Sequence, residues 1–296
     1  MATLYTEQSK NVSKTWLLMG GFFVIVIGIG FFFSQYYQNP SILYFFVLFS
    51  VVMNITSYWY SDKIALKLNH ARVIKEEDNR ELWHIVENLA ITAGLPMPKL
   101  CIIDDPSPNA FATGRNKDHA VVAVTTGILQ ILNKTELEGV IAHELSHIGN
   151  RDILLSTVVV VLVGFISIIA DVFLRSTFFG FGRGRDNDRE GGGIMMLIGI
   201  VLSILAPIFA MLIQLAISRK REFLADASGA LLTRYPEGLA NALQKISQNA
   251  RPMTYANKAT AHLFIANPFG GTGKRVSNLF LTHPPVEERV KALLGK

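Results

Sequence analysis

The chain has 296 residues, of which half are hydrophobic and only 17% are charged, and its mean hydropathy is +0.33. Soluble domains carry about 25% charged residues, so this composition excludes a wholly soluble protein and indicates a membrane protein with a soluble part. The net charge of +5 is typical of basic segments beside membrane helices, and no basic, aromatic-rich stripe predicts a nucleic-acid partner.

Two long apolar stretches come first and predict a membrane hairpin over residues 1–60. Residues 16–33 form an uncharged run, which is long enough to cross a bilayer, and residues 42–60 form a second one. Basic residues flank the pair, among them Lys14 and Lys63. Because segments rich in Lys and Arg are retained in the cytoplasm, both ends of the hairpin are predicted to face the cytoplasm.

Residues 61–152 are predicted to form the first part of a soluble domain. An amphipathic helix over residues 76–93 is followed by strands over residues 99–104, 109–114 and 120–125. The second strand begins with Asn109, Ala110, Phe111 and Ala112. It either pairs main chain to main chain with an extended peptide substrate or is a plain structural hairpin.

The next helix carries the clearest chemical signal, His143-Glu144-x-x-His147. Positions four apart lie on one helix face, so the two imidazoles can bind one zinc ion, with Glu144 placed as a general base for the attacking water. The neighbouring residues are apolar, so this helix is predicted to be buried, where three ionisable groups need a partner. Thr135 and Glu138 predict a capping box at its start.

Residues 153–217 predict a second membrane hairpin. Two apolar runs surround a connector over residues 175–193 that is rich in Gly and Arg. Four arginines in that connector are unusual for a loop on the outer side of a membrane. The pair therefore either spans the bilayer or forms a partly buried hairpin. Residues 218–296 are predicted to complete the soluble domain.

A catalytic zinc site needs a third protein ligand, for which Glu222 is the best candidate. Asp226 follows one helical turn later and suits a hydrogen bond to a ligating imidazole, with His143 the expected partner. Glu222 is alternatively an ion-pair partner of Arg219 or Arg221. The remaining candidates have no supporting pattern: His70, His84, His119, His262 and Cys101.

The ordered set His143-Glu-Leu-Ser-His147, Glu222-Phe-Leu-Ala-Asp226 and Thr282-His-Pro-Pro285, with the membrane segments, resembles the HtpX-type membrane zinc metalloproteases. These are bacterial relatives of the CAAX prenyl proteases, and the resemblance covers essentially the whole chain. It implies one zinc ion per chain on His143, His147 and Glu222, with Glu144 as the base, and substrate pairing with the segment that begins at Asn109. It also implies endoproteolysis of misfolded or damaged membrane proteins in stress quality control.

The expected fold is mainly α with a small β-sheet: multi-pass membrane helices in two hairpins and a cytoplasmic zincin-like metalloprotease domain. The expected location is the cell inner membrane, with the active site facing the cytoplasm and polypeptides and the lipid bilayer as partners. His283 either helps to stabilise the oxyanion or is a structural residue at a helix start. Two alternative functions stay open: a processing peptidase for lipidated C-termini, and a non-enzymatic membrane protein whose zinc is structural.

Overall fold

A computed structural model describes residues 4–165, 218–270 and 283–295 of the chain. It begins with two long helices, α1 (Leu4–Tyr36) and α2 (Pro40–Leu68), which pack against each other. Within the described residues these two helices are long and apolar enough to cross a membrane, so they are the candidate membrane helices that the sequence predicted. The chain is mainly helical and contains one small mixed sheet, as predicted.

Both membrane helices extend beyond the apolar runs that predicted them. The predicted runs ended at Phe33 and Tyr60, whereas α2 continues to Leu68 and carries Lys63 and Lys67 on its last turns. Hydropathy marks the part of a helix that fits the hydrocarbon layer, about 30 Å thick, and not the point where helical hydrogen bonding stops. At about 1.5 Å per residue, the 29 residues of α2 make a helix longer than that layer is thick.

The sheet follows the membrane hairpin and has four strands in the order β1-β2-β4-β3. The strands are β1 (Arg72–Val73), β2 (Lys99–Ile103), β3 (Ala110–Gly114) and β4 (Ala120–Thr125), and α3 (Arg80–Ala93) joins β1 to β2. β3 pairs antiparallel with β4, and β2 pairs parallel with β4. The three strands predicted from sequence are therefore confirmed, and β3 lies at the edge of the sheet.

The short helix α4 (Thr126–Ile131) leads into α5 (Lys134–Gly149), which carries the His-Glu-x-x-His motif. The capping box at its start is formed by Asn133 and Glu136: Asn133 Oδ1 accepts from the Glu136 N–H at 3.0 Å, and Glu136 Oε2 accepts from the Asn133 N–H at 2.9 Å. The predicted box with Thr135 was therefore wrong by two residues. Asn133 places its side chain over the free N–H groups of the first turn and so fixes the start of the helix.

The chain turns sharply after α5 and continues in α6, whose described part is Ile153–Phe165 at 85° to α5. The side chains of α6 pack against α1 and the sheet, and most are buried, as Leu155 and Val158 illustrate. The pair of α5 and α6 counts as a further candidate span only if the two bent helices are taken as one. Most of the predicted second hairpin, including the connector over 175–193, lies outside the described residues, so that hairpin stays a prediction.

The residues described after position 217 form three further helices: α7 (Arg219–Thr233), α8 (Pro236–Gln248) and α9 (Val286–Leu294). α7 packs directly on α5, and Gly229 lies where the two helices are in close contact. A Cβ atom on Gly229 would lie 3.0 Å from the backbone nitrogen of His143, which is tighter than ordinary packing. The absence of a side chain there lets α7 pack closely on the motif helix.

Candidate metal centre and active site

Three ligand atoms from α5 and α7 converge on one point. His143 Nε2 lies 3.1 Å from His147 Nε2, and Glu222 oxygens lie 3.8 Å from His143 Nε2 and 3.7 Å from His147 Nε2. Ligand atoms bound at 2.0–2.1 Å in a tetrahedral site are separated by about 3.3–3.5 Å. The three side chains therefore fit a single metal ion of that coordination.

Each imidazole is oriented by a buried carboxylate. His143 Nδ1 lies 2.9 Å from Asp226 Oδ1, and His147 Nδ1 lies 3.0 Å from Asp152 Oδ2. A carboxylate holds the proton on Nδ1, so the lone pairs of both Nε2 atoms are directed toward the metal position. The sequence predicted the contact of Asp226 with His143. It did not predict Asp152. The one feature of the sequence that indicates Asp152 is its position, five residues after His147 and directly before an apolar helix.

Asp226 is in turn held by Arg289 on the last helix. Arg289 donates from Nε and Nη2 to the two oxygens of Asp226, at 2.8 and 2.6 Å, and both side chains are buried. Burial disfavours ionisation of Asp226, but these bonds and that to His143 lower its pKa to about 2. Sequence reasoning missed Arg289 because no local pattern connects it to residues so distant in the chain.

Glu144 is buried at the metal position, with 1% of its surface exposed. Burial raises the pKa of its carboxyl to about 7, the positive charge of His147 opposes the shift, and the carboxylate of Glu222 adds to it. The Ala112 N–H donates to this carboxyl, and Glu144 Oε1 has no hydrogen-bond partner among the described residues. A carboxyl with this pKa is suited to take and return a proton near neutral pH.

The site attracts positive charge. Burial disfavours protonation of His147, but the carboxylates of Asp152 and Glu222 outweigh it and raise its pKa to about 10. Burial lowers the pKa of His143 to about 4. Burial likewise disfavours ionisation of Glu222, yet the neighbouring His283 and His147 hold the Glu222 pKa well below its usual range. A bound cation supplies the same compensating charge, which agrees with the fit of the ligand atoms to a metal.

His283 lies next to the predicted third ligand. Its Nδ1 is 2.5 Å from Glu222 Oε2, and its Nε2 contacts the Phe264 carbonyl oxygen. Both partners are acceptors. α9 begins at Val286 with Pro285 as its N-cap, so His283 does not cap that helix. The structure brings His283 to the metal site, where its catalytic role stays a prediction.

The four residues predicted to bind substrate differ in position. Asn109 is buried, and its side chain bonds both the N–H and the carbonyl oxygen of Ala266. The Ala110 carbonyl accepts from the Ile265 N–H at 2.9 Å, and Phe111 packs edge-to-face on Phe264. Ala112 lines the cavity beside the metal position. Of these four, Ala112 is the residue that lines the cavity, and substrate binding by all four stays a prediction.

The cavity at this site has a volume of about 30 Å³ and is lined mainly by polar side chains from α5, α6 and α7 and from the segment that follows α8. His262, in a 3₁₀ turn over Ala261–Leu263, forms part of its wall. Sequence reasoning assigned no role to this histidine, since no neighbouring residue forms a ligand pattern with it.

Comparison with known proteins adds independent findings. The family model described as Peptidase family M48 matches residues 76–296. The chain is 50% identical over 294 residues to a "Protease HtpX homolog" of Caldanaerobacter subterraneus subsp. tengcongensis, which covers 98% of this chain and 97% of that protein. It is also 50% identical over 284 residues to a protein of the same name from Thermococcus kodakarensis, covering 95% and 94% of the two chains.

The fold is similar to that of a solved structure, the crystal structure of S. mikatae Ste24p. The TM-score is 0.52 at 20% sequence identity. The match covers 98% of this chain, which spans 66% of the length of that protein. The likeness concerns the fold, with additional segments in the larger protein.

Proposed function

The chain belongs to peptidase family M48 and is a membrane-bound metalloprotease, and we propose that it uses one zinc ion to cleave misfolded or damaged membrane proteins. The observation that carries this proposal is the convergence of His143, His147 and Glu222 beside the buried carboxyl of Glu144. Two imidazoles and one carboxylate are a donor set that zinc favours, and three protein ligands are typical of a catalytic site.

A zinc ion held by His143, His147 and Glu222 would supply a Lewis acid for the peptide carbonyl and would lower the pKa of water. Glu144 takes the proton of the attacking water and passes it to the leaving amine. The raised pKa of Glu144, to about 7, supports both halves of that transfer. Asp226 and Asp152 keep the imidazoles in the orientation that ligation requires.

Main-chain recognition on the edge strand supports broad specificity. Ala110 and Gly114 are already bonded, to Ile265 and Thr157 respectively, so Ala112 between them is the residue of β3 that faces the cavity. The Ala112 N–H donates to Glu144, so an extended peptide pairs with the carbonyl oxygen of Ala112. It needs no particular side chain for that contact. Such recognition suits an enzyme whose substrates are unfolded segments of many sequences.

The active site is proposed to face the cytoplasm, in the cell inner membrane. α1 and α2 form a hairpin, so the chain enters and leaves the membrane on one side, and the soluble domain follows α2 within four residues. Lys14 lies just before the first apolar run, and Lys63 and Lys67 lie just after the second, so these basic residues are at the same end of the hairpin. This distribution of basic residues supports cytoplasmic orientation.

The proposed function is tested with protein purified in detergent without metal. Adding zinc is expected to produce cleavage of casein and of an unfolded membrane-protein loop. Glu144→Gln is expected to bind zinc normally and cleave neither, whereas Glu222→Ala is expected to bind less zinc. Cleavage by Glu144→Gln, or full zinc content in Glu222→Ala, would overturn these assignments.

The related function, processing of lipidated C-termini, is tested in the same preparation. The high identity to proteins named Protease HtpX homolog favours general endoproteolysis, since the likeness to Ste24p extends to the fold alone. A prenylated C-terminal peptide cleaved faster than unfolded loops of membrane proteins would favour the processing function instead.

A further inference from the structure

His262 is held rigidly in the wall of the active-site cavity. The segment that carries it is fixed to the sheet by the bonds of Asn109 to Ala266 and of Ala110 to Ile265. Its side chain is 92% buried, and its Nε2 lies 2.9 Å from the carbonyl oxygen of Ser156 on α6. The imidazole is therefore positioned from two sides, by the segment behind it and by α6.

The contact with Ser156 defines the protonation of the ring. A carbonyl oxygen can only accept a hydrogen bond, so Nε2 carries a proton. Burial, reinforced by the positive charges of Arg221 and His283, lowers the pKa of His262 to about 4, although the bond to Ser156 opposes the shift. The ring is neutral near pH 7, which leaves a lone pair on Nδ1. Nδ1 is thus an acceptor.

This acceptor has no partner within the described part of the chain, where Nδ1 is buried without a hydrogen bond. Buried polar atoms are nearly always bonded, because leaving one unpaired costs free energy. The atom belongs to a residue of the active-site cavity, and functional sites are where such unpaired groups concentrate. A ligand that brings an N–H into the cavity would satisfy it.

A bound polypeptide brings such N–H groups. The N–H groups of an extended chain point alternately to its two edges, and pairing with Ala112 satisfies only one edge. The three carboxylates that line the cavity have other roles: Glu222 as a metal ligand, Asp152 as the partner of His147, and Glu144 as the base. Two of their oxygens, Glu144 Oε1 and Asp152 Oδ1, are also buried without a partner among the described residues, and His262 Nδ1 is the neutral acceptor of this set, available for the other edge.

We propose that His262 is a substrate-binding residue whose Nδ1 accepts a hydrogen bond from a main-chain N–H of the bound polypeptide near the cleaved bond. The inference rests on the proposed function, because it assumes that the cavity binds a peptide. Recognition of a main-chain N–H is independent of side-chain sequence. It therefore extends the broad specificity that pairing with Ala112 provides.

Two substitutions of His262 test the roles of its two ring nitrogens separately. In His262→Gln the side-chain amide can still donate to Ser156, but the acceptor at the Nδ1 position is lost. In His262→Asn the side-chain oxygen lies close to the Nδ1 position, and the bond to Ser156 is lost. We expect His262→Gln to raise KM roughly three- to tenfold with little change in kcat, and His262→Asn to stay closer to wild type. A residue that acts only in folding would give the opposite order.

The bonded N–H is identified with a peptide series in which an ester oxygen replaces one N–H at a time on either side of the cleaved bond. The wild-type protein should bind one ester-containing peptide several-fold more weakly than it binds the parent peptide. The His262→Gln variant should bind that ester-containing peptide and the parent peptide equally. Equal penalties in both proteins, or no position-dependent penalty in wild type, would overturn the proposal. Thermal unfolding and zinc content confirm that each variant is folded and loaded.

Binding of the same peptide series is also measured with the zinc-loaded Glu144→Gln variant and with the zinc-loaded double variant that carries both Glu144→Gln and His262→Gln. Binding needs no turnover, so the two proposals fail separately. Peptide binding without cleavage by the wild type would overturn the proposed protease function while still testing His262. Cleavage by the wild type with no effect of His262→Gln on binding at any position would overturn the role of His262 alone.

Discussion

Arg289 donates two hydrogen bonds to Asp226, from Nε at 2.8 Å and from Nη2 at 2.6 Å, in a region where both side chains are buried. Asp226 Oδ1 also lies 2.9 Å from Nδ1 of His143. The last helix of the chain is thereby connected through one carboxylate to the motif helix α5. The orientation of His143 consequently depends on correct docking of α9.

Replacing Arg289 with methionine tests this connection. The substitution keeps an apolar stem but leaves Asp226 as a buried charge without its main partner, which typically costs about 3–5 kcal/mol of folding free energy. Zinc affinity is expected to fall about ten- to hundredfold, since partners of ligating histidines fix their orientation. Lys291→Ala, an exposed change on the same helix, is the matched control. Chemical unfolding measures the folding free energy, and equilibrium dialysis measures the zinc affinity. Wild-type values of both for Arg289→Met would contradict the proposed role of Arg289.

Asp152 is expected to act on His147 as Asp226 acts on His143. Its Oδ2 lies 3.0 Å from His147 Nδ1, and it stands directly before α6, in the turn that follows α5. Asp152→Ala should lower zinc affinity about ten- to hundredfold, and Asp152→Asn less, because its side-chain oxygen still accepts from Nδ1. Zinc titration is compared with Asp118→Ala, which alters an exposed turn. An unchanged zinc affinity in Asp152→Ala would show that His147 is oriented by other contacts.

Gly139 allows α8 to pack against α5. A Cβ atom there would lie 2.6 Å from the backbone nitrogen of Leu239, so the two helices would have to separate. Gly139→Ala is expected to lower stability by about 1–3 kcal/mol, as overpacking typically does. Gly149→Ala on the same helix is the control, because its added Cβ would meet no atom within 4 Å. Equal unfolding midpoints for the two variants would show that α5 and α8 adjust freely.

Local patterns explain which parts of the site the sequence predicted. His143 and His147 share a helix face at a spacing of four residues, so their approach follows from helix geometry alone. Glu222 and Asp226 share a face for the same reason, but spacing does not specify which helix they meet. That meeting depends on the close packing of α7 on α5 at Gly229, which is a tertiary contact.

Residues outside any motif were missed because their contacts cross long stretches of chain. Arg289 and Asp226 are separated by 63 positions, and His262 and Ser156 by 106. The start of α5 was misplaced for a different reason: Asn133 with Glu136 and Thr135 with Glu138 both match the capping pattern. Only the folded chain shows which pair forms it.

The pH dependence of folding provides a test of the neutral state of His262. Its pKa is lowered from 6.5 to about 4 in the folded protein, chiefly by burial. Below about pH 6.5 the unfolded chain binds a proton at this residue, and the folded protein does not until about pH 4. The contribution of His262 to stability is therefore constant above that interval and decreases as the pH falls through it.

Comparison of wild type with His262→Gln isolates this effect, because all other titrating groups are common to both proteins. The free energy of unfolding of wild type relative to His262→Gln should decrease from pH 7 to pH 4.5 and stay constant from pH 7 to pH 8. Chemical unfolding in detergent, with zinc at saturation, measures the difference. A difference that does not change with pH would mean that the folded protein protonates His262 as readily as the unfolded chain does. Nδ1 would then carry a proton in the folded protein at mildly acidic pH and could not act as an acceptor there.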